Sequence, residues 1–304
     1  MPELPDLTVY LRALEPRILN RPLKAVRLAS PFVLRSVDPP VTSVAGKKVL
    51  TLERIGKRLV FGLEEELFIV IHLMIAGRLK WLGANAKIPG KAGLAAFDFE
   101  TGTLLLTEVS TKKRASIHVV LGRENLDAFD RGGLEVMTAH LDTFAERLRS
   151  ESHTLKRALT DPTLFAGIGN AYSDEILHHA RLSPVKLTRT LTGEEIARLF
   201  QSIHHVMTLW IDRLAKEVGD GWPEKVTAFR PEMAVHGKYK QPCPVCGSPV
   251  QHIVHAENET NYCPRCQTGG KLLADRSLSR LLKDDWPRSL DELEDHLAAR
   301  REPR

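Results

Sequence analysis

The sequence predicts an α+β protein: an N-terminal β-sandwich led by a single helix, then a helical domain, then a small four-cysteine hairpin. Three observations carry that prediction. Short β-rich runs broken by glycine and charged turns recur from Leu23 to about Leu121; helical periodicity takes over after Arg131-Gly132-Gly133; and all four cysteines fall between Cys243 and Cys266.

Taken in order, Pro5 to Leu19 places Leu7, Val9, Tyr10, Leu14 and Ile18 near one helical face. Strands are then expected at Lys48–Leu52, Arg58–Leu63, Leu67–Leu73, Leu79–Leu82, Leu94–Phe99, Leu104–Glu108 and Ile117–Leu121, a regular spacing that suits a sandwich or barrel. Helices are expected over Leu141–Leu159 and around Glu175–His179. Thr192 with Glu195 makes a capping box for a long amphipathic run whose buried stripe is Ile196, Leu199, Phe200, Ile203, Val206, Met207, Trp210, Ile211 and Leu214. Asp220-Gly221-Trp222-Pro223 reads as a linker toward the cysteine segment. In the tail from Gly269 to Arg304, Ser289 and Glu292 suit the cap of one more short helix. The expected domains are therefore 1–131, 132–225, 226–268 and a C-terminal extension, 269–304.

The chain has 304 residues, 43% hydrophobic and 27% charged, which is the composition of a folded globular protein rather than a disordered one. Lys and Arg outnumber Asp and Glu by 43 to 38, a mild basic excess that suits a polyanionic partner without requiring one. No apolar stretch approaches the roughly 20 residues needed to span a bilayer, and Met1-Pro2-Glu3-Leu4-Pro5-Asp6 lacks the basic and apolar regions of a signal peptide. A cytoplasmic protein with no membrane partner is the expectation.

Cys243-Pro244-Val245-Cys246 and Cys263-Pro264-Arg265-Cys266 form a paired CxxC pattern. Two residues between thiolates let a tight knuckle aim both sulfurs at one ion, and two knuckles complete a tetrahedron, so one structural Zn2+ is expected. Disulfides or free thiols are the alternative. Four thiolates would leave no open position for catalysis.

Proline after Met1 favours removal of the initiator, leaving a secondary amine at Pro2. An α-amino group titrates near 7.7 to 8.0, roughly, so part of it is unprotonated at neutral pH and able to attack an aldehyde carbon. Glu3 and Asp6 supply carboxylates for proton transfer, or simply serve the positive end of the following helix. Gly167-Ile168-Gly169-Asn170 lies between helical runs. Its glycines allow backbone N–H groups to approach a phosphate, with Asn170 and Lys156 as further donors; an ordinary helical corner is the alternative.

Together these three motifs, in this order, resemble the formamidopyrimidine-DNA glycosylase and endonuclease VIII family, whose members open on Pro-Glu-Leu-Pro, carry a Gly-x-Gly-Asn turn in a helix-two-turn-helix domain and end in a four-cysteine zinc finger. The resemblance extends through Arg54-Ile55-Gly56-Lys57, His72 to Leu79, Lys156 to Glu175, and Val235-His236-Gly237, covering about residues 1 to 267. It implies a monomeric two-domain enzyme acting on damaged double-stranded DNA, of bacterial type and associated with the nucleoid. Pro2 would be the Schiff-base nucleophile at the sugar C1′, Glu3 the acid that assists ring opening, Asp6 an accessory carboxylate, and Lys57 a phosphate contact that aids elimination. Gly169, Asn170 and Lys156 would hold the DNA backbone.

The chain also departs from the family. Asp6 replaces a usual glutamate. Ser110-Thr111-Lys112-Lys113-Arg114-Ala115 stands where the family has Asp-Pro-Arg-Arg-Phe-Gly, which leaves Lys112 as the DNA-facing cation and no aromatic wedge. Ile75 replaces the wedge methionine, with Met74 beside it. Lys91 to Leu94 lacks a DNA-contacting histidine, and Asn258 replaces a finger arginine tied to the second elimination, so β-elimination is expected ahead of δ-elimination. The extension, with Leu273, Leu278, Leu281, Leu282 and Trp286, would pack on this chain or on a protein partner. The readings are thus a bifunctional glycosylase and abasic-site lyase for oxidised or otherwise altered bases; a catalytically weakened, structure-selective DNA-binding protein of the same fold; or a zinc-stabilised interaction protein.

Overall fold

A computed structural model describes residues 1–255, 258–273 and 287–293, without the side chains of residues 255 and 258. The chain divides into two compact units. The first comprises Met1–Gly133 with Met207–Thr227, the second Leu134–Val206 with the chain from Ala228 onward.

In the first unit, helix α1 (Leu4–Ile18) precedes two four-stranded antiparallel sheets. One sheet has the order β1-β6-β7-β5, from Ala25–Leu28, Gly93–Asp98, Thr103–Glu108 and Gly77–Leu82. The other has the order β2-β3-β4-β8, from Val49–Ile55, Arg58–Leu63, Leu67–His72 and Ser116–Leu121. The core lies where Leu7, Tyr10 and Leu14 of α1 meet Phe61, Ile69 and Ile71 of one sheet and Phe97, Leu104 and Leu106 of the other. β4 reads as an unbroken apolar run because both its faces are covered: Leu67, Ile69 and Ile71 point into this core, while Phe68 and Val70 pack with Val60, Val120 and Leu126 on the far side.

Seven of the expected strands form. β1 was not anticipated, and its four residues are all half-buried, so they carry no alternation to read. The segment expected to be a linker is instead anchored. Trp222 Nε1 donates to the Leu79 carbonyl at 3.0 Å, and its ring lies 5.6 Å from Tyr10 and 6.2 Å from Trp81.

The second unit contains α2 (Leu141–Arg149), α3 (Leu155–Thr160), α4 (Asn170–His179) and the start of α5 (Gly193–Val218). The periodicity read through Leu141–Leu159 is interrupted, because Thr154 caps a new helix by accepting from Arg157 N at 3.4 Å. α5 begins with the expected box: Thr192 N donates to Glu195 Oε2 at 3.0 Å and Glu195 N to Thr192 Oγ1 at 3.2 Å. Its stripe is buried apart from Phe200, which is half-buried 5.3 Å from the Phe144 ring. A hairpin of β9 (Gln251–His255) and β10 (Asn258–Tyr262) then leads into the short α6 (Pro264–Thr268).

Of the extension, Leu272 N donates to Arg288 O, Leu273 N to the Tyr262 hydroxyl, and Leu290 is buried. Glu292 N donates to Ser289 Oγ at 3.2 Å, capping a helical turn. Leu278, Leu281, Leu282 and Trp286 lie outside the described residues.

Candidate DNA-repair site and metal centre

Pro2, Glu3 and Asp6 are all buried at the start of α1. Glu3 is the N-cap. Its side chain accepts from the backbone of Asp6, and its own N–H donates to Asp6 Oδ2 at 3.0 Å, a reciprocal capping box. Asp6 thus closes the helix end as well as lying beside the chain terminus. Burial pushes the terminal ammonium of Met1 below its usual 8.0; Glu3 opposes the shift, and the positive charges of Arg78 and Lys57 reinforce it. The neutral amine, the nucleophilic form, is favoured there. Lys57 reaches this neighbourhood from the β2–β3 turn, where Gly56 adopts φ +56°. Pro2, Glu3, Asp6 and Lys57 are therefore brought together, and Arg78 joins them.

Two connections run side by side from one sheet to the other at this end of the sandwich. In one sheet His72 of β4 pairs with Ser116 of β8; in the other Gly77 of β5 pairs with Glu108 of β7. The segments 73–76 and 109–115 therefore bridge the same two strand ends. Lys57 belongs to the same edge, since Arg58 pairs with His72. In the shorter segment Met74 takes φ +52° and is half-buried, whereas Ile75 is 58% exposed. Gly77 N closes the turn onto Leu73 O at 2.9 Å, and a Cβ on Gly77 would lie 2.2 Å from that oxygen, so only glycine fits. Lys112 is exposed in the longer segment, which the buried Glu108 carboxylate holds by accepting from Arg114 N at 2.8 Å and Ala115 N at 3.0 Å.

In the second unit, Gly167 has φ +80° and the extended Gly169 is the N-cap of α4. Lys156, Gly169 and Asn170 converge here. Lys156 Nζ donates to Asn170 O at 2.6 Å and to Asp174 Oδ1 at 2.5 Å, while Asn170 Nδ2 donates to Glu259 O of the hairpin at 3.0 Å. Two of the three lysine protons are thus engaged inside the protein, and one amide proton of Asn170 ties the turn to the finger. Asp174 Oδ2 accepts from Asn261 N and lies 2.8 Å from His236 Nδ1. Glu175 accepts three backbone bonds, from Ala234, Val235 and His236, at 2.7 to 2.9 Å. Burial pushes its carboxyl upward, and these three N–H groups oppose the shift. Asn258 pairs with His255 at the turn end of the hairpin, and its side chain lies outside the described part.

The four cysteine sulfurs all lie within 4.8 Å of one another, with Cys243 and Cys266 3.9 Å apart and Cys246 and Cys263 3.3 Å apart. A zinc tetrahedron with bonds of about 2.3 Å has edges of roughly 3.8 Å, so the cluster fits one structural Zn2+. Gly247, at φ +75°, lets the first knuckle turn, with its N–H on Cys243 O at 2.9 Å; Cys263 caps α6 in the second. His178 Nε2 lies 3.2 Å from Cys243 Sγ and backs the cluster from α4.

Arg78, Glu108, Asp174, Glu175 and His236 escaped the sequence reading as site residues. Their roles rest on contacts distant in sequence. The available signal was Asp174-Glu175, two adjacent acids on a helix without exposed partners, within a stretch already resembling the family.

A sandwich with Pro2 buried at the start of its leading helix, a glycine turn capping a helix, and a four-thiolate finger defines a zinc-containing protein of the DNA-glycosylase type. The chain belongs to the formamidopyrimidine-DNA glycosylase family. Its residues 1–117 match the formamidopyrimidine-DNA glycosylase N-terminal domain, 133–219 the H2TH domain of the same enzymes, and 240–269 the zinc finger found in FPG and IleRS. Formamidopyrimidine-DNA glycosylase of Thermus thermophilus is 31% identical over 281 residues, spanning 89% of this chain and 100% of the relative. An uncharacterized formamidopyrimidine-DNA glycosylase-like protein of Mycobacterium tuberculosis is 40% identical over 151 residues, half of this chain and 94% of that one. Among solved structures, Lactococcus lactis Fpg in complex with DNA containing an abasic site superposes with a TM-score of 0.77 at 26% identity, over 88% of this chain and 99% of the other. MutM bound to DNA containing carbocyclic 8-oxo-G gives 0.78 at 26% identity, over 88% and 100%. Among the described residues no helix is long and apolar enough to cross a membrane.

Proposed function

We propose that this protein removes oxidised or otherwise altered bases from double-stranded DNA and cleaves the resulting abasic site, acting as a monomer with Pro2 as nucleophile. The observation that carries the reading is the burial of Pro2 and Glu3 at the start of α1, next to a Met1 amine that burial, with Arg78 and Lys57 nearby, biases toward its neutral form. In the proposed reaction the Pro2 nitrogen attacks C1′ of an extruded nucleotide, and the base departs with the electrons of the glycosidic bond, taking up a proton. Glu3 protonates the ring oxygen as the sugar opens to an iminium at C1′. Loss of a C2′ proton then expels the 3′ phosphate, β-elimination, with Lys57 holding phosphate. Asp6 fixes Glu3 by the capping box. Lys112, Lys156, Gly169 and Asn170 supply backbone contacts, and residues 1–131 form the catalytic domain, followed by 132–225, the finger at 226–268 and the extension.

The test is sodium borohydride trapping of the Met-trimmed protein on duplex DNA with one abasic site, beside Pro2→Gly. A covalent adduct that requires Pro2 is expected. Zinc and duplex binding without any adduct would overturn catalysis and favour a structure-selective DNA-binding protein, a reading prompted by the absence of an aromatic side chain from the exposed 111–114 segment.

A further inference from the structure

We infer that the cleft between α1 and the last turns of α5 is a binding site for a small zwitterion, a short peptide with free ends and an aliphatic side chain. None of the groups given a role in the DNA-repair reading takes part in it. The cleft is a cavity of about 470 Å3 lined by the two helices and by Asp220, all within the first compact unit. That volume falls in the range of small-molecule sites, roughly 300 to 1,000 Å3. Small side chains leave it open. Val9 and Ala13 of α1 and Ala215 and Val218 of α5 give it an apolar floor. Gly219 ends α5 at φ +54°, with its N–H on the Ala215 carbonyl at 2.9 Å, and a Cβ placed on it would meet no atom within 4 Å.

The charges identify the occupant. Arg17 braces the wall: its Nη1 donates to Ala13 O at 2.6 Å and its Nη2 to the Asp220 and Gly221 carbonyls at 2.9 Å each, while its guanidinium lies 5.8 Å from the Trp222 ring centroid. These contacts fix the cleft before any ligand arrives, which saves ordering entropy on binding. Arg12 and Asp220 are not used in this way. Both are exposed and both line the cavity, yet among the described residues neither side chain has a hydrogen-bond or ion-pair partner. Opposite charges left unmatched over an apolar floor suit a ligand with a carboxylate for Arg12, an ammonium for Asp220 and an aliphatic body between them. A simple carboxylate would leave Asp220 unmatched, and a simple amine would leave Arg12.

The test is a ligand-observed NMR titration of full-length, zinc-loaded protein with three probes: leucyl-alanine, its N-acetyl form without the ammonium, and its amide without the carboxylate. Leucyl-alanine is expected to bind with a dissociation constant of about 1 mM. Each capped form should bind at least about tenfold more weakly. Arg12→Gln should bring the free dipeptide down to the level of its amide, and Asp220→Asn to that of its acetylated form. Both variants change exposed side chains, so the urea midpoint should match the parent's. Absence of saturable binding up to about 20 mM would overturn the site. So would affinities that are the same for all three probes, or that neither variant alters, whatever borohydride trapping shows.

Discussion

Lys156 and Asp174 form a 2.5 Å ion pair whose carboxylate is wholly inaccessible to solvent. The same carboxylate also serves His236 Nδ1 and the backbone of Asn261, so α3, α4, the 234–236 segment and the zinc hairpin meet at one side chain. Removing one member of a buried pair strands the other charge, at a cost of about 3 to 5 kcal/mol. Asp174→Ala should therefore lower unfolding free energy by that order in urea titrations, whereas Glu151→Gln, at an exposed His153 pair, should change it by less than about 1 kcal/mol.

Acid sensitivity should trace in part to His72. Burial, aided by Arg58, Lys57 and His118, pushes its imidazole down from 6.5 to about 4. Between those values the unfolded chain binds a proton that the folded one refuses, so stability is full above pH 6.5 and is lost as pH falls toward 4. The slope from this one group is at most about 1.4 kcal/mol per pH unit. Chemical denaturation of His72→Asn at pH 7 and pH 5 should show a smaller loss than the parent; an equal loss would refute the assignment.

Metal removal should act locally. The finger's buried cluster is Val235, Cys243, Val250 and Cys263, too small to hold a hairpin unaided. Cys246→Ser, or a strong chelator, should release one zinc per chain by atomic absorption and expose hairpin amides to hydrogen exchange, while the β3 and β4 amides stay protected.

Trp222→Phe separates packing from hydrogen bonding at the anchored segment. The ring against Tyr10 and Trp81 is largely kept, but the Leu79 carbonyl loses the indole donor, costing about 1 kcal/mol. A shift in urea midpoint with an unchanged m-value is the expected signature.

How much of this was legible follows from where the information sits. Arg58–Leu63 was read to the residue, since its turns and apolar run are local. The Thr192–Glu195 box and the CxxC pairs are likewise short-range chemistry. β1 was not seen, because Ala25–Leu28 acquires strand character from pairing with β6, some seventy positions away. Trp222 looked like part of a linker, since a single aromatic beside Gly and Pro gives no hint of a carbonyl waiting at Leu79. At the site, Pro2, Glu3 and Asp6 stand out from the chemistry of the N-terminus itself, and Lys57 only through the family resemblance. Arg78, Glu108 and Glu175 do not, because each acts on backbone atoms whose identity no side-chain pattern records.

Asn170 reaches from the glycine turn to the Glu259 carbonyl, and Asn261 reaches back from the same strand to Asp174. This cross-lacing makes the metal and any anion seated on the turn thermodynamic correspondents. If zinc raises affinity at the turn by some factor, occupancy of the turn must raise zinc affinity by the same factor. A cell short of zinc would then first lose the least occupied copies, and molecules already engaged at the turn would be the last to surrender their ion.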